Sequence, residues 1–145
     1  MSEEKMINFE IATPERVVFR EQVRQVSVPT LDGEITVLPH HLPLVSILSP
    51  GVLELKKADN SLEVISVSGG FIEVLQDKVI ILADTAERAE EIDLARAEES
   101  RKRAEESLSK LKDTDSLEFS RLASQIEKEL ARSRSVRKWR NLKGK

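Results

Sequence analysis

Apolar and polar residues alternate with a period of two through the first part of the chain. Ile7, Phe9 and Ile11 are separated by Asn8 and Glu10, Ile35 and Val37 by Thr36, and Leu53 and Leu55 by Glu54. Such alternation predicts strands with one buried face. The runs 62–67, 71–75 and 79–82 are rich in β-branched residues and apolar on both faces. They predict strands sandwiched between two layers. Turn signals fall at short intervals: Asp32-Gly33, Pro39, Pro43, Pro50-Gly51, Asp59-Asn60, Gly69-Gly70 and Gln76-Asp77. Many short strands with frequent turns predict an antiparallel all-β sandwich or barrel. The spacing leaves no room for the crossover helices of a parallel α/β sheet.

The period then changes. Residues 86–112 contain no Gly or Pro and are dominated by Ala, Glu, Arg, Lys and Leu, the strong helix formers. Leu94, Ala97, Ala104, Leu108 and Leu111 fall on one narrow stripe. The polar run Lys112-Asp113-Thr114-Asp115-Ser116 supplies capping residues. A second stripe follows, with Phe119, Leu122 or Ala123, Ile126 and Leu130. Two helices joined by a short polar loop predict an antiparallel hairpin, with the small alanines of the first letting the second approach closely. The expected fold is therefore α+β: an N-terminal antiparallel β-sandwich over residues 1–88 and an α-helical hairpin over 89–145. The hairpin stripes are too thin for a free-standing domain, so the hairpin must rest on the sandwich, on itself or on a partner, and it can do so in more than one way.

Charge sharpens the division. Residues 1–88 carry 8 Lys and Arg against 14 Asp and Glu, a net of −6, and residues 89–145 carry 15 against 12, a net of +3. The absence of cysteine excludes disulfides and thiolate metal sites. No stretch approaches the ~20 apolar residues needed to cross a membrane as a helix. Residues 1–5 lack the basic and apolar character of a secretory signal and the composition of a transit peptide. No phosphate-binding loop, nucleophile–base pair or metal cluster points to an enzyme, and Gly69-Gly70 lacks the spacing of a dinucleotide fingerprint. His40 and His41 are adjacent, so on a strand they would face opposite ways, and no Cys or third His completes a metal site. The tail holds Arg132, Arg134, Arg137, Lys138, Arg140, Lys143 and Lys145 with no acid after Glu129. That predicts an acidic partner surface, or simply cations that suit the end of a helix dipole. Nucleic acid is disfavoured: Trp139 is the only tail aromatic, no RNA-binding motif is present and the net charge is negative.

Four segments in order resemble the epsilon subunit of bacterial rotary ATP synthases. They are Leu31-Asp32-Gly33-Glu34-Ile35-Thr36-Val37-Leu38-Pro39-His40-His41-Leu42-Pro43-Leu44, then Ser68-Gly69-Gly70-Phe71-Ile72-Glu73-Val74, then Leu82-Ala83-Asp84-Thr85-Ala86-Glu87-Arg88, and Ile92-Asp93-Leu94-Ala95-Arg96-Ala97. The resemblance covers nearly the whole chain, with the last dozen residues least matched. His40 stands where that family usually has Gly, so a different local turn is expected.

The resemblance implies a non-catalytic rotor subunit on the cytoplasmic face of the inner membrane, peripheral and without membrane insertion. Its sandwich would bind the gamma subunit and touch the c-subunit ring, helping couple proton flow to ATP synthesis. Asp32, Glu34 and His41 match the ring-facing region, although Asp32-Gly33 also reads as an ordinary turn. The hairpin would fold down beside the sandwich or extend into the catalytic alpha-beta hexamer and block ATP hydrolysis, with Arg132, Arg134, Arg137 and Lys138 as contacts. No cofactor is required. The family's regulatory ATP site would use Glu87, Asp93, Arg96, Arg103 and Arg132, with Lys128 replacing a usual arginine, a point charge in place of a planar fork. The plainer reading of Asp93 and Arg96 is an i,i+3 ion pair near a helix start. The rival to the whole reading is a free-standing adaptor with a basic helical arm.

Overall fold

The computed structural model describes residues 5–111 and 116–143. Most of the predicted capping loop, residues 112–115, lies outside the described residues, as does Lys145. Among the described residues, nine strands run in the order β1 (Ile7–Ala12), β2 (Val17–Thr30), β3 (Gly33–Val37), β4 (Leu44–Leu48), β5 (Gly51–Lys57), β6 (Leu62–Val67), β7 (Gly70–Val74), β8 (Lys78–Ala83) and β9 (Ala86–Arg88). A 3-10 turn at Ala89–Glu91 leads into α1 (Leu94–Ser109), and α2 (Ser116–Lys143) follows.

The long β2 ties the sandwich together. Along one edge it pairs with β1 and then with β3, and along the other with β5. One branch of the sheet continues through β5, β6 and β9, and the other through β4, β7 and β8 to β1. Ile7, Phe9 and Ile11 of β1 point into the core with Val23, Val26, Val28, Leu53, Leu55, Ile65, Ile72 and Ile81. The alternation in the sequence is this inward set. One pairing is not antiparallel: β1 lies parallel to β8, in register from Asn8↔Lys78 to Ala12↔Leu82. No crossover helix is needed, because the whole intervening sandwich makes the connection.

The doubly apolar strands divide into two kinds. In β6, Val64, Ile65 and Val67 are all buried, since the core lies on one side and α2 packs against the other. Strands β7 and β8 bury only one face: Phe71 and Leu82 are exposed, as is Leu75 just past the end of β7. The expectation that all three runs are covered on both faces thus fails for two of them. Their outer apolar residues are left on the surface instead.

Residues 86–93 precede any α-helix, because Ala86–Arg88 pairs with β6 and the 3-10 turn follows. The two helices pack together as the hairpin expected, with Ala97, Ala104 and Leu122 buried between or beneath them. Helix α2 also lies along β5, β6 and the 3-10 turn, so the hairpin is folded down beside the sandwich. The part of α2 beyond Leu130 buries Ala131, Ser133, Ser135 and Val136, small residues that do not mark a buried face in a sequence.

Candidate functional site

Three surfaces collect the candidate residues. The first is the outer face of β4, β7 and β8. The antiparallel register places Ile47 opposite Phe71, and Phe71 opposite Leu82. Side chains on one face of neighbouring strands stand side by side, so these three form one apolar row. Val45 lies two residues along β4 and is 72% exposed, while Phe71 is 58% exposed. Single exposed apolar residues are ordinary, but a contiguous row on a highly charged chain is a candidate docking surface. Sequence reasoning missed this face because apolar residues on both sides of a strand signal burial just as well as docking.

The second surface is the β2–β3 turn. Asp32 and Glu34 are both exposed there. The turn is tied by Thr30, whose hydroxyl donates to the Gly33 carbonyl at 2.6 Å and accepts from the Asp32 amide at 3.2 Å. His41 does not join them. Five-residue β3 intervenes, a rise of roughly 16 Å, and the His41 amide donates to the Leu38 carbonyl just beyond the strand's far end. Its Nδ1 lies 2.7 Å from the Leu42 carbonyl. His40 has a φ of 66°, the left-handed conformation that glycine adopts without strain. That is the physical sense of a glycine at this position in the resembled family. Among the described residues no His, Asp or Glu cluster could hold a metal ion.

The third surface is the seam between the hairpin and the sandwich. Arg132 on α2 reaches two carboxylates at once, Glu87 of β9 at 3.2 Å and Glu129 of its own helix at 2.8 Å. Burial works against the charge on Arg132, but the Glu129 hydrogen bond and the Glu87 charge outweigh it and hold the guanidinium above its ordinary range. Two further pairs cross the seams: Lys138 to Glu54 of β5 at 2.6 Å, and Arg137 to Glu98 of α1. Arg134 is exposed. At the junction, Arg88 grips the buried Glu63 through two nitrogens, at 2.7 and 3.1 Å, and stacks over Phe19. The Glu63 hydrogen bond is the main cause holding that guanidinium above its ordinary range.

The predicted nucleotide residues are only partly assembled. Glu87 and Arg132 meet directly, and Lys128 shares with Glu87, Asp84, Thr85 and Arg16 a cleft of about 290 Å³. Arg96 and Arg103 are exposed on α1. Asp93 is the N-cap of α1, its carboxylate accepting from the Arg96 backbone amide at 3.1 Å. The Asp93–Arg96 contact is therefore a cap rather than a side-chain ion pair. Asp93→Ala is expected to cost about 1 kcal/mol, read as a lower urea midpoint with an unchanged slope.

Comparison with known proteins fits this architecture. Residues 6–89 match the family model described as "ATP synthase, Delta/Epsilon chain, beta-sandwich domain", and residues 90–136 match "ATP synthase, Delta/Epsilon chain, long alpha-helix domain". The chain therefore belongs to the family of ATP synthase delta and epsilon chains. Its relatives are epsilon chains, non-catalytic subunits of the synthase. That of Nitratidesulfovibrio vulgaris is 42% identical over 131 residues, covering 90% of this chain and 96% of its own. That of Herpetosiphon aurantiacus is 46% identical over 117 residues, covering 81% and 85%. In structure the fold is similar to a chain of the Euglena gracilis mitochondrial ATP synthase, with a TM-score of 0.73 at 24% identity, covering 84% of this chain and 76% of that one.

Proposed function

We propose that this chain is a rotor subunit of the central stalk of a rotary ATP synthase, coupling proton flow to ATP synthesis and restraining ATP hydrolysis through its C-terminal helices. The observation that carries this is the division of the molecule into a rigid sandwich with an apolar docking row and a helical arm resting on a thin seam of small and charged residues. The row formed by Ile47, Phe71 and Leu82 would seat the gamma subunit. Asp32 and Glu34 would meet basic loops of the c ring, where exposed pairs give orientation more than strength. Released, the arm would present Arg132, Arg134, Arg137 and Lys138 to an acidic surface of the catalytic hexamer. The subunit then works at the cytoplasmic face of the inner membrane through its partners, and no helix among the described residues is long and apolar enough to cross a membrane.

The test uses the reconstituted synthase. Tethering the arm to the sandwich should raise ATP hydrolysis several-fold over the free arm. Equal rates would refute the inhibitory role.

ATP is proposed as a regulatory ligand of the seam, supported by the convergence of Glu87, Lys128 and Arg132 on one side of α2. Calorimetric titration should detect binding that Lys128→Ala abolishes. A null titration of the unaltered chain would remove ATP from the mechanism.

A further inference from the structure

Glu129 is a carboxylate in an unusual place. It is 5% exposed, on the face of α2 turned into the folded-down assembly, and its neighbour along that face is the guanidinium of Arg132 at 2.8 Å. Arg132 in turn crosses the seam to Glu87 of β9, with both its Nε and an amino nitrogen within 3.3 Å of one carboxylate oxygen. The side chain of Arg132 is only 17% exposed and that of Glu129 only 6%. A guanidinium so placed needs anions around it, because a buried charge without a partner is strongly unfavourable. Here the chain supplies both.

We propose that Glu129, Arg132 and Glu87 form a built-in latch that holds the hairpin down without any nucleotide. Glu87 is the strike plate on the sandwich and Arg132 the bolt on the arm. Glu129 is a positioning residue: it holds the guanidinium aimed across the seam. Beyond Val64 of β6, the rest of the seam offers few large apolar side chains to hold the arm. Its buried residues are mainly Ala131, Ser133, Ser135 and Val136, and the Ser133 hydroxyl has no protein hydrogen-bond partner. The Lys138–Glu54 pair is partly open to solvent, with Lys138 43% exposed, so salt would screen it more than the Arg132 cluster. The latch rests on the reading of the hairpin as a movable arm and names what sets its resting position.

The chain has no native cysteine, so a single introduced pair reports docking. Asn60 and Leu142 line one groove between the β5–β6 turn and the end of α2. With both changed to cysteine, a short bifunctional maleimide should join them rapidly in the full chain free of nucleotide. Glu129→Gln and Arg132→Gln are each expected to slow that reaction about tenfold, while the exposed neighbour Glu127→Gln leaves it unchanged. Far-UV circular dichroism confirms that α2 stays helical in each variant. The deciding arm is a double-mutant cycle. If Glu129 acts through Arg132, then adding Glu129→Gln to Arg132→Gln slows joining no further. An additional tenfold loss in that background would mean that Glu129 serves only the packing of its own helix, and would overturn the proposal. So would slow joining in the parent, or fast joining in Glu129→Gln. Should a Glu129→Gln helix unravel, Glu87→Gln tests the same bolt from the sandwich side and must slow joining equally. Failure of the inhibitory role is read separately, since there the joined and free forms would hydrolyse ATP at one rate whatever the joining kinetics.

Discussion

Gly70→Ala is expected to destabilise the sandwich by about 3–5 kcal/mol, enough to leave much of the chain unfolded at moderate temperature. Gly70 opens β7 with a φ of 119°, a region that L side chains rarely enter. A Cβ there would lie 2.0 Å from the Leu82 carbonyl oxygen and 2.8 Å from the Ala83 Cα. Both are backbone atoms of β8, the strand hydrogen-bonded to β7, so neither can move without breaking the ladder that carries Ile72 and Ile81 into the core. Gly33 is the control. It has a similar φ of 111°, but nothing lies within 4 Å of the position its Cβ would take. Gly33→Ala should therefore show backbone strain alone, on the order of 1 kcal/mol. Urea denaturation of the two variants separates the effects. Equal losses would mean that strain rather than collision governs Gly70.

If the outer row seats the gamma subunit as proposed, Phe71→Asp is expected to weaken that binding by at least about thirtyfold while leaving folding nearly unchanged. The side chain is largely in solvent already, so the isolated chain loses little buried area. On docking, the same ring would be the aromatic centre of a three-strand row with Ile47 and Leu82, and central aromatics carry a disproportionate share of interface energy. An aspartate there would also have to be desolvated without a partner. Titration of gamma with each chain, beside urea melts of both, gives the answer. Undiminished affinity in the variant would place gamma on another surface.

Much of the β architecture was legible from alternation alone, because β1, β3 and β5 each expose one polar face. The limits have physical causes. Strand β2 escaped notice because Arg20, Glu21 and Arg24 interrupt its apolar residues and Pro29 lies within it, yet it makes the most pairings in the sheet. The outer row on β7 and β8 was misread as buried because apolar residues on both faces of a strand look the same in sequence whether the second face is covered or, as for Phe71 and Leu82, exposed. In the hairpin, the leucine and alanine stripes pointed correctly to helix–helix packing, but Phe119, placed on the second stripe, is 55% exposed. The docking face of α2 was invisible, since serine and alanine carry no signature of burial. For the candidate site, the resemblance to the epsilon family singled out Glu87 and Arg132, which do meet. It could not show that Asp93 would be engaged by the backbone of α1, nor that Glu129 would turn inward.

The serine- and alanine-rich seam also bears on what happens in a crowded cell when the arm lifts. A helix that leaves a leucine-lined groove bares two sticky surfaces, and each invites capture by chaperones or by another copy of the chain. Here the parted faces are small and partly hydroxylated, with Val136 the largest apolar side chain among the buried residues of α2 beyond Leu130. On the proposed reading, raising the arm would bare Val64 of β6 and Val136 of α2 but no leucine-lined groove, which would limit clumping over repeated excursions.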